Sequence, residues 1–170
     1  MSTPLQQRLA ATRASLPKGI ELVAVSKFHP VEALREAYDA GQRIFGESHV
    51  QEMQEKRGQM PSDVEWHFIG HLQTNKVKYI APYVSLIHAV DSVRLLDEIE
   101  KQAARCGRTV PCLLELHVAD EATKYGFTVD EARTLLTDDT LARLPHVKVR
   151  GLMCMATQTD DEAQIRREFA

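Results

Sequence analysis

Six short apolar runs, each followed by a stretch with helical spacing, leave this chain few ways to fold. The runs lie at residues 22–26, 43–46, 66–70, 86–90, 112–118 and 147–155 and are rich in branched side chains. Between them, residues 31–40, 50–57, 75–80, 92–105 and 129–136 carry apolar positions at helical intervals. The stretch "DSVRLLDEIEKQAAR" sets Val93, Leu96, Ile99 and Ala103 on one stripe with charges opposite. Strands alternating with helices across short connections predict a parallel sheet covered by helices. The near-continuous apolar character of the runs agrees, because such strands are buried on both faces. An open doubly wound sheet and a (β/α)8 TIM-type barrel both satisfy this pattern. No glycine fingerprint follows the first strand, which disfavours a dinucleotide-binding sheet. A barrel requires eight strands. The expectation is therefore an incomplete barrel with about six of eight βα units, residues 1–170 forming a single domain.

Capping signals bound the helices. Thr3, Pro4 and Gln6 predict a first helix opened by a capping box and closed by "PKG". Thr128 with Glu131, and Thr159 with Glu162, predict two more boxes.

Composition narrows the function classes. The 170 residues are 44% hydrophobic and 26% charged with a net charge of −3, so a basic nucleic-acid footprint is missing. Cys106, Cys112 and Cys154 form neither a disulfide framework nor a CxxC pair, as expected in a reducing compartment. No apolar stretch approaches the ~18 residues of a membrane span, and "MSTPLQQRLAATRASL" has no secretory apolar core. A cytoplasmic protein with neither a nucleic-acid nor a membrane partner is expected.

In parallel α/β folds, ligands gather at the carboxyl ends of the strands. The candidates there are Lys27, Glu47 with Ser48, Gly70 with His71, His117 with Asp120, and residues 153–157. "ELVAVSKFHP" raises a specific question, because an apolar strand ends on Lys27. Lysine gives up its proton readily on burial, and its free amine condenses with aldehydes; equally, the side chain could snorkel to solvent. His67 and His71 have a four-residue spacing that would suit a metal on a helix. Gly70 interrupts the spacing, so a satisfied strand histidine is the other reading. The Asn75–Lys78 segment reads as a phosphate-facing helix start or a solvated helix face. Glu47 and Glu115 could be paired carboxylates, and Glu47 could instead cap the next helix. Met53, Met60, Met153 and Met155 read as core filler, and Cys154 as a buried, inert thiol.

These pieces resemble, in order, the pyridoxal phosphate homeostasis protein family, a barrel like the N-terminal domain of alanine racemase. "LVAVSK" resembles its cofactor-lysine strand, "AGQRIFGES" its second strand, and "WHFIGHLQTNKVK" its most distinctive block. "ADEATKYGF" resembles its Lys-x-Gly segment and "VRGLMCM" its sixth strand. The resemblance implies pyridoxal 5′-phosphate carried on Lys27 as a Schiff base, with His67, Asn75 and Met153 near the ring. It implies a non-catalytic carrier in intracellular cofactor homeostasis, with PLP-dependent apoenzymes as possible recipients. An amino-acid racemase-like enzyme and an inactive truncated remnant are the alternatives; related racemases draw a second base from an additional β-domain. Tyr125 could be a stand-in for that base or a packing residue.

The sequence departs from the family pattern in three places. Ser48 and His49 follow the FGE turn where asparagine is usual, and Phe28 stands where a small hydroxyl residue is common. The family's Ser-Met-Gly-Met-Ser and Arg-Ile-Gly stretches of strands seven and eight are absent. Loops after those strands commonly hold phosphate in such barrels. The expectation is a truncated product that keeps the cofactor lysine and lacks the phosphate cup.

Overall fold

The computed structural model describes residues 2–118 and 125–170. They form an α/β structure in two compact units, Met1–Phe68 and Ile69–Ala170.

The first unit contains α1 (Pro4–Ser15), β1 (Ala24–Val25), α2 (Val31–Asp39), β2 (Ile44–Glu47), α3 (Val50–Arg57) and β3 (Glu65–Phe68). The capping box of α1 forms as expected: Gln6 N–H donates to the Thr3 hydroxyl at 3.3 Å, and Thr3 N–H to the Gln6 side chain at 3.2 Å. None of its residues is fully buried, and polar contacts hold it in place. Arg13 donates to the Ala40 carbonyl at 3.0 Å and to the Gln42 side chain at 2.6 Å. The strands run parallel in the order β1-β2-β3. Ala24 lies opposite Phe45, and Phe45 opposite Trp66. Phe45, Met53, Met60, Trp66, Phe68 and Leu34 are buried, and each such side chain contributes roughly 1.5–3 kcal/mol by leaving water.

β1 is shorter than the predicted 22–26. The amide of Gln42 donates to the carbonyls of Leu22 (2.8 Å) and Ile44 (2.6 Å). A side chain thus takes the place of the main-chain ladder at the start of the strand, and Gln42 is itself only 2% exposed.

The second unit opens with a 3₁₀ turn (Thr74–Lys76) into α4 (Val77–Ile80). It continues through β4 (Leu86–Val90), α5 (Val93–Arg105), β5 (Val110–Leu116), α6 (Val129–Thr137), β6 (Val147–Cys154) and α7 (Glu162–Glu168). Its strands are parallel in the order β4-β5-β6. On α5 the stripe is Leu95, Leu96, Ile99 and Ala103. Val93, expected there, is exposed in the first turn next to the Ser92 cap. The Thr128–Glu131 capping box forms. The Thr159–Glu162 box does not. Asp161 caps α7 instead, accepting from Ala163 and Gln164, because a carboxylate is the stronger acceptor.

β6, the outer strand of its unit, is not uniformly buried. Cys154 is half-buried and Met155 exposed, against the expectation of a buried thiol and a core methionine. Among the described residues no helix is long and apolar enough to cross a membrane.

Candidate functional site

In the first unit, β1 leads directly into a tight turn. Ser26 N–H donates to the Gly46 carbonyl (2.9 Å), the last rung of the ladder, and His29 N–H closes back on the Ser26 carbonyl at 3.1 Å. Lys27 and Phe28 form the tip. Phe28 has φ +65°, a left-handed conformation that costs a residue with a side chain roughly 1–2 kcal/mol. Lys27 is exposed. The sequence left a buried lysine and one that snorkels to solvent both open; the turn lifts Lys27 out of the sheet and leaves it exposed.

Beneath the tip lies a buried ionic cluster. The Lys56 ammonium, on α3, donates to Glu47 (2.7 Å), to Glu52 one turn earlier (2.7 Å) and to the Ser26 carbonyl (2.7 Å). The Ser26 hydroxyl donates to Glu47 at 2.6 Å. Phe28 N–H donates to the Glu52 carboxylate at 2.6 Å. Glu47 is fully buried, and its second oxygen has no hydrogen-bond partner. It therefore binds the far end of α3 and does not cap its start, where His49 stands without a side-chain cap bond. Desolvation pushes the Glu52 carboxyl up. The hydrogen bonds from Lys56 and Phe28, with the nearby charges of Lys56 and His49, outweigh it and hold the group below the usual carboxylate range.

His67 is buried in β3 of the same unit. Ser48, which stands where the family has asparagine, is within 3.1 Å of His49 Nδ1. The ring of His49 lies 5.5 Å from that of Phe28.

In the second unit, the strand ends gather a different set. His71 Nδ1 lies 3.0 Å from the Asp91 carboxylate, and its ring stacks on Tyr125 at 4.1 Å. Burial first, and then the Asp91 charge, raise the Glu115 carboxyl above its usual range, with His71 opposing. Met153 lies opposite Glu115 in the β5–β6 register. Asn75 is exposed in the 3₁₀ turn and lines a groove of about 330 Å³ with His71, Asp91, Ser92 and Arg94. Asn75 thus shares its surroundings with His71. Asp120, and Lys124 of the Lys-x-Gly segment, lie outside the described residues. Among those described, no group of three or more His, Cys, Asp or Glu side chains is placed to hold a metal.

Lys56 and Glu52 escape a reading of the sequence. Their four-residue spacing on a helix is the pattern of an ordinary surface ion pair. Only the nine-residue step back to Glu47, across the β2–α3 turn, hints that the pair faces inward. The role of Tyr125 as a stacking partner has no sequence signal.

Residues 3–170 match the model of the family described as alanine racemase, N-terminal domain. The pyridoxal phosphate homeostasis protein of Aquifex aeolicus (strain VF5) is 39% identical over 150 residues, which cover 88% of this chain and 65% of the relative. That of Pasteurella multocida (strain Pm70) is 36% identical over 171 residues, covering 97% and 72%. The chain spans roughly two thirds of the length of these relatives. Among solved structures, PipY of Synechococcus elongatus PCC7942 is 36% identical and matches 97% of this chain. The TM-score is 0.91 for PipY without PLP and 0.86 for PipY with PLP bound, over 77% and 76% of those chains. Alanine racemase of Clostridium difficile 630, 14% identical with a TM-score of 0.78 over 97% of this chain and 44% of its own, shares the fold. The fold class is accordingly α/β of the barrel type, carried here as six βα units. A family model matching almost every residue, with relatives more than a third identical, places the chain: it belongs to the family of alanine racemase N-terminal domains, which it shares with the pyridoxal phosphate homeostasis proteins.

Proposed function

We propose that this chain binds pyridoxal 5′-phosphate covalently through Lys27 and serves as a non-catalytic carrier in cytoplasmic cofactor homeostasis. The observation that carries the reading is the turn at Ser26–His29, which presents an exposed primary amine at the end of a parallel strand. A primary amine on a fixed backbone fits the aldehyde end of that cofactor. The names of the curated relatives and the PLP-bound PipY structure support it.

When bound, the group supplies an aldehyde that stores amine-reactive carbon in reversible form. Lys27 would hold the group through a C=N bond to its aldehyde carbon, formed with release of water and reversed by hydrolysis. His67, buried in β3 of the same unit as Lys27, is assigned to the surroundings of the ring, and PLP-dependent apoenzymes to the receiving end. Reversible attachment and release require no further acid or base from the chain.

The test is incubation of the chain with pyridoxal 5′-phosphate, followed by borohydride reduction and peptide mass spectrometry. The expected result is an imine absorption band and an adduct on Lys27, both lost in Lys27→Ala. Absence of an adduct, or its placement on another lysine, overturns the reading. Solvent deuterium entering the α-carbon of an added amino acid would replace the carrier with a racemase-type enzyme.

A further inference from the structure

Among the described residues Lys27 has neither a hydrogen bond nor an ion pair of its own; what is fixed is the backbone on each side of it. The Ser26 carbonyl, which precedes Lys27, accepts from the Lys56 ammonium at 2.7 Å. The Phe28 N–H, which follows it, donates to Glu52 at 2.6 Å. Lys56 and Glu52 are one helical turn apart on α3 and bond to each other at 2.7 Å. The two side chains therefore grip the turn from below at both flanks of a single residue.

Three features argue that this grip is more than stability. A buried ion pair is weak support for a fold, because apolar residues of similar size usually serve as well. Here the pair is retained with an unpartnered carboxylate oxygen on Glu47. Phe28 holds a left-handed backbone although the residue is 77% exposed, so burial of its ring does not impose that conformation. Strain of this kind persists where surrounding contacts over-determine it, and it concentrates at functional sites. Beside the turn's own bonds from Ser26 to Gly46 and from His29 to Ser26, the side chains that do so here are those of Lys56 and Glu52 on α3.

We propose that Glu52 and Lys56 are positioning residues that hold the strained Ser26–His29 turn so that the Lys27 amine is presented for attachment of an aldehyde. The proposal rests on the assignment of Lys27 above. Fixing the approach of the amine favours its attachment to a carbonyl, and a swivelling turn would lose that pre-organisation.

Glu52→Ala removes the acceptor for Phe28 N–H. Glu52→Gln restores an oxygen acceptor there without the charge. The equilibrium and rate of imine formation are read with pyridoxal 5′-phosphate and with pyridoxal, alongside the thermal unfolding midpoint. Glu52→Ala is expected to weaken attachment about tenfold, the worth of one charge-assisted hydrogen bond, and Glu52→Gln to recover most of it. Joint replacement Glu47→Met with Lys56→Leu removes both buried charges at once. It is expected to unfold cooperatively near the wild-type midpoint and yet to attach as poorly as Glu52→Ala. Wild-type attachment in Glu52→Ala or in the joint variant overturns the proposal, as does Glu52→Gln being as impaired as alanine. No attachment by the wild-type chain refutes the assignment of Lys27 itself.

Discussion

A Cβ added at Gly126 would stand 2.8 Å from the backbone nitrogen of His117 and 2.9 Å from the Glu115 carbonyl. Gly126 also has φ +127°, a conformation open to glycine. It lets the following segment close on the end of β5, where Phe127 N–H donates to the Glu115 carbonyl and His117 N–H to that of Phe127. Gly126→Ala must therefore break both bonds or distort the backbone. The expected cost is about 2 kcal/mol or more, read as a lowered urea midpoint, with loss of amide exchange protection at His117 and Phe127.

Lys56 and Glu47 are expected to behave very differently alone and together. Lys56→Met leaves a fully buried carboxylate without its cation and is expected to cost about 3–5 kcal/mol. Glu47→Met with Lys56→Leu removes both charges, and its stability is expected within about 1 kcal/mol of wild type. Equilibrium urea denaturation of the two variants measures the difference. Equal losses would mean the cluster stabilises the fold directly.

Two carboxyls pull the pH profile in opposite directions. Glu52 has a folded pKa below its unfolded value near 4.5, so its contribution is present above that value and is lost as pH falls through the lower folded one. Glu115 has a folded pKa above 4.5. The fold therefore binds its proton more tightly than the unfolded chain, and stability falls as pH rises through that window. Glu115→Gln is expected to raise stability at neutral pH and to flatten the profile above pH 4.5. Glu52→Gln is expected to lower stability at neutral pH and to reduce the loss on acidification. Urea midpoints taken from well below pH 4.5 up to neutral pH check both.

The cysteines divide by access. Burial pushes the Cys112 thiol up to about 12, and the thiolate is the reacting form. Cys106 is exposed at the end of α5. Alkylation of the native chain near pH 8 is expected to label Cys106 readily and Cys112 only after denaturant is added, as peptide mass spectrometry resolves. Labelling of native Cys112 at a rate close to that of Cys106 would contradict the burial of β5.

The strand–helix rhythm was legible because both periodicities are carried by residue type alone. The bounds of β4 and α3 are those expected, and the boxes at Thr3 and Thr128 form because each pairs a hydroxyl with a side-chain acceptor three positions on. What escaped were features that residue type and spacing do not decide. Burial or exposure of Lys27 stays open in the sequence until the His29 bond to Ser26 turns the chain outward. Thr159 loses its cap to Asp161, a competition between two good candidates that spacing does not decide. Lys56 reads as a surface charge until Glu47 arrives from another element. The motif pointed to Lys27, and the contacts that orient it come from pairs that the sequence keeps apart.

The amide of Gln42 has a consequence for how this chain ages and varies. One nitrogen serves two main-chain oxygens, those of Leu22 and Ile44, while its oxygen faces Arg13. Hydrolysis of that amide, or a single-base change to glutamate, alters almost no volume, yet it would set a carboxylate against two carbonyl lone pairs in a place water does not reach. The entry of the chain into its first strand thus hangs on the chemical identity of one atom, and size-matched replacement offers no protection there.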